Sequence, residues 1–291
     1  MADSTSQPPP PVLGRYRVIR RLGAGGMAEV FLAKLAGAEG IDKVLVVKRV
    51  LPSFARSAKF RAMFLDEAKV ATRLNHPNVV QVFSFEQIKD DFLLAMEFVD
   101  GLDLGRLAAA AKRAGTKLSH GLAAFVVGEV AKGLDYAHNR KDESGAAMEI
   151  VHRDVSPQNV LVSWEGDVKL TDFGVAFARD RSEHTQDGQV KGKIRYMAPE
   201  QIAGGKVDAR SDVFALGVVL WEMLSGERLF KRDNEMSTLL AVNDCKVPPP
   251  SSRSSEIPPE LDAVVLKALQ KNKDDRYKDA QSFRLALEDF I

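Results

Sequence analysis

The chain has 291 residues, 28% charged and 45% hydrophobic, enough for one large domain or two lobes. A formal net charge of +1 excludes a global field that would favour nucleic acid or an anionic membrane. The one cysteine, Cys245, excludes an internal disulfide, cannot build a zinc site by itself and fits a reducing compartment.

No apolar run approaches the roughly 18 residues of a membrane span. The stretch 214–224 comes nearest, but Glu222 inside it marks a buried helix instead. The N-terminus lacks the basic-then-apolar pattern of a signal peptide. The expected location is cytoplasmic, with no membrane segment in this chain and an anchor beyond residue 291 left open.

Residues 1–14 are polar and include Pro8 and Pro11, so a disordered or polyproline tail is expected, a docking peptide being the other reading. From 16 to 96 the apolar pattern is strand-like, with valine- and phenylalanine-rich runs at 44–50 and 79–85. One helical stretch, about 58–74, interrupts it. Beyond Gly101 the period becomes helical, at 121–138, 213–224, 261–269 and 280–290. In the insertion between His138 and His152, residues 140–145 read as a solvated turn, or alternatively as part of a partner-binding loop, and 247–259 as an extended proline- and serine-rich loop. Strands first and helices later predict an α+β protein in two parts.

The segment Leu22-Gly23-Ala24-Gly25-Gly26 joins two strand-like runs. Glycine lets backbone amides approach phosphate oxygens, and a tight hairpin turn would use it too. No Gly-Lys-Ser/Thr follows, as a P-loop would need, and the next run is a strand rather than a Rossmann helix. Lys48 ends the apolar run 44–47, placed to pair with phosphate or a carboxylate, or simply to be solvated at a strand end. Glu67, in the next helical stretch, is a candidate partner or an exposed helix carboxylate.

Two later clusters carry more chemistry. His152-Arg153-Asp154 is followed by Asn159 and an apolar run, and then by Asp172-Phe173-Gly174. Two carboxylates and an asparagine on strand-bounded loops suit phosphoryl transfer, which needs a carboxylate to orient the attacking hydroxyl and oxygen ligands for Mg²⁺. With Ala198-Pro199-Glu200 downstream, the chain resembles the eukaryotic-type (Hanks-type) Ser/Thr protein kinases, bacterial members especially, over residues 15–290.

That resemblance implies a bilobal protein kinase fold, with a small β-rich N-lobe at 15–99 carrying one helix and a larger, mainly helical C-lobe at 100–291. It implies ATP with Mg²⁺ or Mn²⁺ as cofactors, protein substrates, and a second copy of the chain as partner for trans-autophosphorylation. Asp154 is the implied catalytic base, Asn159 and Asp172 the metal ligands, and Lys48 the phosphate-binding lysine held by Glu67. Leu22, Gly23, Ala24, Gly25 and Gly26 cover the phosphates, with Ala28 at the last small position of that loop. Val30, Val46 and Leu161 sandwich adenine, Met96 is the gatekeeper, Glu97 and Val99 bond the adenine edge, and Asp103 contacts ribose. His152 and Phe173 belong to a hydrophobic spine, Glu200 and Arg276 form a buried ion pair, and Asp212 caps the central helix and bonds the catalytic loop. Arg153 would receive an activation-loop phosphate, with Thr185 and Ser182 the candidate sites.

The pattern is departed from at Ala28, where the family has the last glycine of the loop, and at two further, linked positions. The family carries lysine two places after the catalytic aspartate, where this chain has Ser156. It carries Gly-Thr where this chain has Gly192-Lys193, so Lys193 is expected to replace the absent cation, reaching Asp154 and the γ-phosphate, or else to point to solvent. Pro157 matches the Ser/Thr class. The alternatives are a pseudokinase scaffold, which normally loses one of Lys48, Asp154, Asn159 and Asp172, and a small-molecule phosphotransferase, which would usually lack the Ala198-Pro199-Glu200 segment.

Overall fold

The structure is a computed structural model that describes residues 10–25, 28–37, 42–51, 64–65, 68–89, 91–173 and 193–291. It divides into two compact units, one of Met1–Asn75 and Gln81–Phe98, the other of His76–Val80 and Val99–Ile291.

The first unit is built on one antiparallel sheet. Its strands are β1 (Val12–Leu13), β2 (Tyr16–Ala24), β3 (Ala28–Leu35), β4 (Lys43–Val50), β5 (Val82–Ile88) and β6 (Asp91–Met96), in the order β1-β2-β3-β4-β6-β5. Alternate residues of a strand face opposite ways. On one face Phe31, Ala33, Leu45, Val47, Leu93 and Ala95 form a core with Leu13 and Tyr16. Tyr16 is fully buried, and its hydroxyl donates to Glu86 Oε1 at 2.5 Å, which answers the cost of burying a phenol. The register sets Val30 opposite Lys48, Lys48 opposite Leu94, and Val46 opposite Met96, so these side chains share the other face. Residues 64–65 and 68–71 are helical, and Phe64 packs on Phe85, ring centroids 5.8 Å apart. Of the tail expected over 1–14, residues 1–9 lie outside the described residues, and Val12 and Leu13 instead pair with β2, Leu13 buried in the core.

The second unit has a small sheet and a helical body. The sheet is β7 (Gly101–Asp103), β8 (Val160–Ser163) and β9 (Val168–Leu170), in that order. Gly101 is dictated by close approach, since a Cβ there would lie 1.9 Å from the Val162 carbonyl oxygen. The helices are α1 (Leu104–Arg113), α2 (His120–His138), α3 (Pro199–Ala203), α4 (Ala209–Ser225), α5 (Glu235–Asp244), α6 (Pro259–Ala268) and α7 (Ala280–Leu285). Every residue of α4 from Ser211 to Leu224 is buried, as an apolar sequence without a polar face demands.

Three expectations shift in detail. The run 79–85 is not one strand: Val79 bridges Leu170 in the second unit, and β5 begins at Val82. The stretch 280–290 breaks after Leu285 into a 3₁₀ turn at Glu288–Phe290, and 247–259 contains a 3₁₀ turn at Pro250–Ser252. Residues 140–145 form the expected exposed turn, with Asp142 Oδ1 accepting the Ser144 and Ala146 N–H groups. No described helix is long and apolar enough to cross a membrane.

Candidate active site

In the first unit the residues of interest lie along one hairpin and one sheet face. The β2–β3 turn is closed by Gly25 N–H donating to the Ala28 carbonyl at 2.7 Å. Among the described residues a Cβ at Gly23 would meet nothing within 4 Å. Leu22, Gly23 and Ala24 lie on β2, and Val30 on β3. Lys48 on β4 shares its face with Val30, Val46 and Met96, the last two almost wholly buried. Glu97 uses its N–H on the Gln81 carbonyl at 2.8 Å, so any bond it makes to an adenine edge would be through its own carbonyl. Gly26, Glu67, Ser182 and Thr185 lie outside the described residues.

In the second unit a short loop is held from beneath. Asp212, in the first turn of α4, accepts the N–H groups of His152 and Arg153, each at 2.8 Å. It also bonds His138 Nε2 at 2.8 Å. Burial would raise the Asp212 carboxyl, but the bonds from His138 and the backbone hold it below its ordinary value. Asp212 does not cap the helix. The cap is Asp208, whose carboxylate accepts the Arg210 N–H, because the backbone turns helical at Ala209. An aspartate directly before an apolar helical run is itself a cap signal.

His152 is fully buried, and burial pushes its ring below the ordinary imidazole value. Its Nδ1 accepts the Asp154 N–H at 3.2 Å, so the neutral ring carries its proton on Nε2 and donates it to the Thr171 carbonyl at 3.0 Å. Phe173 packs on it, ring centroids 4.6 Å apart. Arg153 and Asp172 take left-handed backbone, φ 65° and 57°, a conformation that costs a side-chain-bearing residue energy and clusters at functional sites.

Asn159 spends its amide group on one neighbour: Nδ2 donates to the Asp154 carbonyl at 2.8 Å and to Asp154 Oδ2 at 2.9 Å. The amide oxygen of Asn159 is thereby turned away from Asp154. With the Asp172 carboxylate it would offer hard oxygen donors of the kind that suits Mg²⁺. Among the described residues there is no cluster of three or more His, Cys, Asp or Glu side chains fit to hold a metal, so a heavier protein cage is not on offer there. Lys193 Nζ donates to Asp154 Oδ2.

Asp103 caps α1, its Oδ1 accepting the Arg106 N–H at 2.9 Å, and lies opposite Leu161 on the neighbouring strand. Val99 is half-buried. Glu200 and Arg276 form the expected ion pair, and Ser211 Oγ adds a third bond to Glu200 at 2.6 Å.

Two contributors escaped sequence reasoning. Gln201 Nε2 donates to the Arg153 carbonyl at 3.1 Å while its Oε1 accepts the Ala198 N–H at 2.9 Å, so α3 is tied to the loop. Tyr196 donates to Glu222 at 2.8 Å, and Arg228 bonds both. Neither carries a local signal, because the partners lie 48 and 26 residues apart.

The chain matches the family model described as the protein kinase domain over residues 16–285. Tyrosine-protein kinase MasK of Myxococcus xanthus is 41% identical over 278 residues, 96% of this chain and 43% of MasK. Serine/threonine-protein kinase PrkC of Bacillus subtilis is 32% identical over 272 residues, 93% of this chain and 39% of PrkC. Serine/threonine-protein kinase PknB of Mycolicibacterium smegmatis is 36% identical over 280 residues, 94% of this chain and 42% of PknB. The crystal structure of the Mycobacterium tuberculosis PknI kinase domain superposes with a TM-score of 0.72 at 28% identity, covering 96% of this chain and 98% of that one. The chain thus spans less than half the length of these curated relatives.

Proposed function

The chain belongs to the protein kinase family and has its fold, a β-sheet lobe and a helical lobe, and from that premise we propose that it transfers the γ-phosphate of ATP to serine and threonine hydroxyls of other proteins. The observation that carries the reading is the buried scaffold that presents Asp154. Asp212 fixes the loop backbone, His152 accepts the Asp154 N–H, and Asn159 orients the carboxylate. A carboxylate held this firmly suits orienting an acceptor hydroxyl and taking its proton.

In this reading Lys48 pairs with the α- and β-phosphates, with Glu67 as its partner. The glycine turn from Leu22 to Gly26 covers them, and Val30, Val46, Met96, Glu97, Val99, Asp103 and Leu161 receive the nucleoside. Asn159 and Asp172 would hold Mg²⁺, which when bound neutralises phosphate charge. The loop with Ser182 and Thr185 is the proposed site of autophosphorylation, between two copies of the chain, and a cytoplasmic location fits the absence of a spanning helix among the described residues.

A second reading has one specific support: the relative at 41% identity is named a tyrosine-protein kinase, whereas PrkC and PknB are named for serine and threonine. Incubation with radiolabelled ATP and a general protein substrate, followed by phospho-amino-acid analysis, separates the two. Phosphoserine or phosphothreonine that disappears in Asp154→Asn supports the proposal. Phosphotyrosine alone would replace it with the second reading. No transfer with intact nucleotide binding would make the chain a pseudokinase.

A further inference from the structure

We propose that Lys193 supplies the cation that the catalytic loop lacks at Ser156, steadying Asp154 and neutralising the transferring γ-phosphate. The inference rests on the kinase reading above and deepens it.

Position 156 offers no charge. Ser156 is fully buried, and its Oγ has no hydrogen-bond partner among the described residues. The carboxylate two residues before it is instead met from a different part of the chain, by Lys193 Nζ. Both Lys193 and Asn159 bond the same oxygen, Oδ2 of Asp154. Among the described residues Oδ1 accepts no hydrogen bond, which leaves that oxygen to meet an acceptor hydroxyl. An ammonium has three donors and Asp154 takes one, so two remain for a phosphate oxygen. The Lys193 side chain is 36% exposed against 14% for Asp154, so the lysine is the more accessible partner of the pair.

The base of Lys193 is anchored, as a positioning role requires. It directly precedes the 3₁₀ turn Ile194–Tyr196, whose Ile194 and Tyr196 are buried. Tyr196 is fixed by Glu222 and Arg228, and Gln201 ties the following helix to the Arg153 carbonyl. The backbone segments that carry Lys193 and Asp154 are therefore bonded to one another independently of the ammonium–carboxylate contact.

In the transfer, the acceptor oxygen bonds the γ-phosphorus as the bond to the β–γ bridging oxygen breaks. The hydroxyl proton passes to Asp154, and the electron pair departs on the diphosphate. Lys193 contributes charge to the transferring group and takes no part in the proton transfer. Without it the Asp154 carboxylate would face the phosphate with a net repulsion.

The test uses the full chain with Lys193→Met, Lys193→Gln and Lys193→Arg, and Asp154→Asn as the blank. Turnover is measured, together with calorimetric binding of ADP and of the non-hydrolysable β–γ-imido analogue of ATP, each with Mg²⁺. Both neutral variants should lose about 100- to 1,000-fold in kcat, the scale for removing one preorganised charge donor. The arginine variant should keep at least about a tenth of wild-type kcat, and the neutral variants should weaken the imido analogue about tenfold while leaving ADP unchanged. A neutral variant within threefold of wild-type kcat overturns the assignment of Lys193 alone, as does equal weakening of analogue and ADP. A wild-type chain that transfers no phosphate overturns the kinase reading and this inference with it.

Discussion

Arg276 grips both carboxylate oxygens of Glu200, each at 2.8 Å, with a guanidinium wholly withdrawn from solvent. Its remaining donors go to the carbonyls of Gln270, Arg210 and Lys271, and it lies over the Phe214 ring. Removing one partner of such a pair leaves an uncompensated buried charge, which costs about 3–5 kcal/mol. Glu200→Ala should therefore lower the denaturant midpoint sharply. Glu200→Gln, which keeps the shape and one acceptor, should cost less, and the two are compared by urea unfolding.

Stability should fall in two steps on acidification. Burial keeps the folded His152 ring neutral where an unfolded histidine takes a proton, so the unfolded state binds more protons below about pH 6.5 and gains on the folded one. Burial would likewise raise Glu200, but its bonds from Arg276 and Ser211 hold it low, and Asp212 is held low in the same way. Their contribution is present above the ordinary carboxylate range, about pH 4, and is lost as pH falls through still lower folded values. Unfolding free energy measured between pH 8 and pH 3 should show both declines, and His152→Gln should shrink the first without abolishing it, because burial lowers His76 in the same direction.

Gly101→Ala places a methyl 1.9 Å from the Val162 carbonyl oxygen and 2.7 Å from the Ser163 Cα, both backbone atoms. β7 must then move off β8, at a cost of about 1–3 kcal/mol typical of overpacking. Asp103, two residues on, moves with it. Thermal melting should drop and KM for ATP should rise, whereas Gly115→Ala, which meets nothing within 4 Å but sits at φ 68°, should lower melting through left-handed backbone strain of about 1–2 kcal/mol and leave KM unchanged.

Asp212→Asn leaves one oxygen for the two N–H groups of His152 and Arg153. A buried donor without a partner costs about 1–3 kcal/mol. Because the loop carries Asp154, kcat should fall well beyond what the stability loss alone explains, with nucleotide affinity nearly unchanged. Steady-state kinetics beside calorimetric nucleotide binding would show the split.

Much of this was legible in the sequence. The valine-rich apolar run that ends at Lys48 predicts β4. The inventory of Asp154, Asn159 and Asp172 suits phosphoryl chemistry, and the resemblance to the kinase family implies the role of each. What was not legible is set by partners remote along the chain. Val79 and Val80 look like the start of β5, yet Val80 N–H bonds the Leu170 carbonyl, a pairing no local pattern announces. Asp208 and Asp212 both precede the apolar stretch of α4. Which one caps depends on where the backbone becomes helical, a choice of one turn that lies within the ordinary uncertainty of helix ends.

The excursion of residues 76–80 has a practical consequence for dissection. Asn78 donates to Glu129 and to the Val168 carbonyl, its own carbonyl accepts the Leu170 N–H, and a Cβ at Gly133 would crowd it at 2.8 Å. A fragment begun at Val99 discards this splint and bares the outer edge of β9, an invitation to stray strand pairing. Neither half is a continuous piece of polypeptide, so no single scission yields two complete bodies, and the two must be made together.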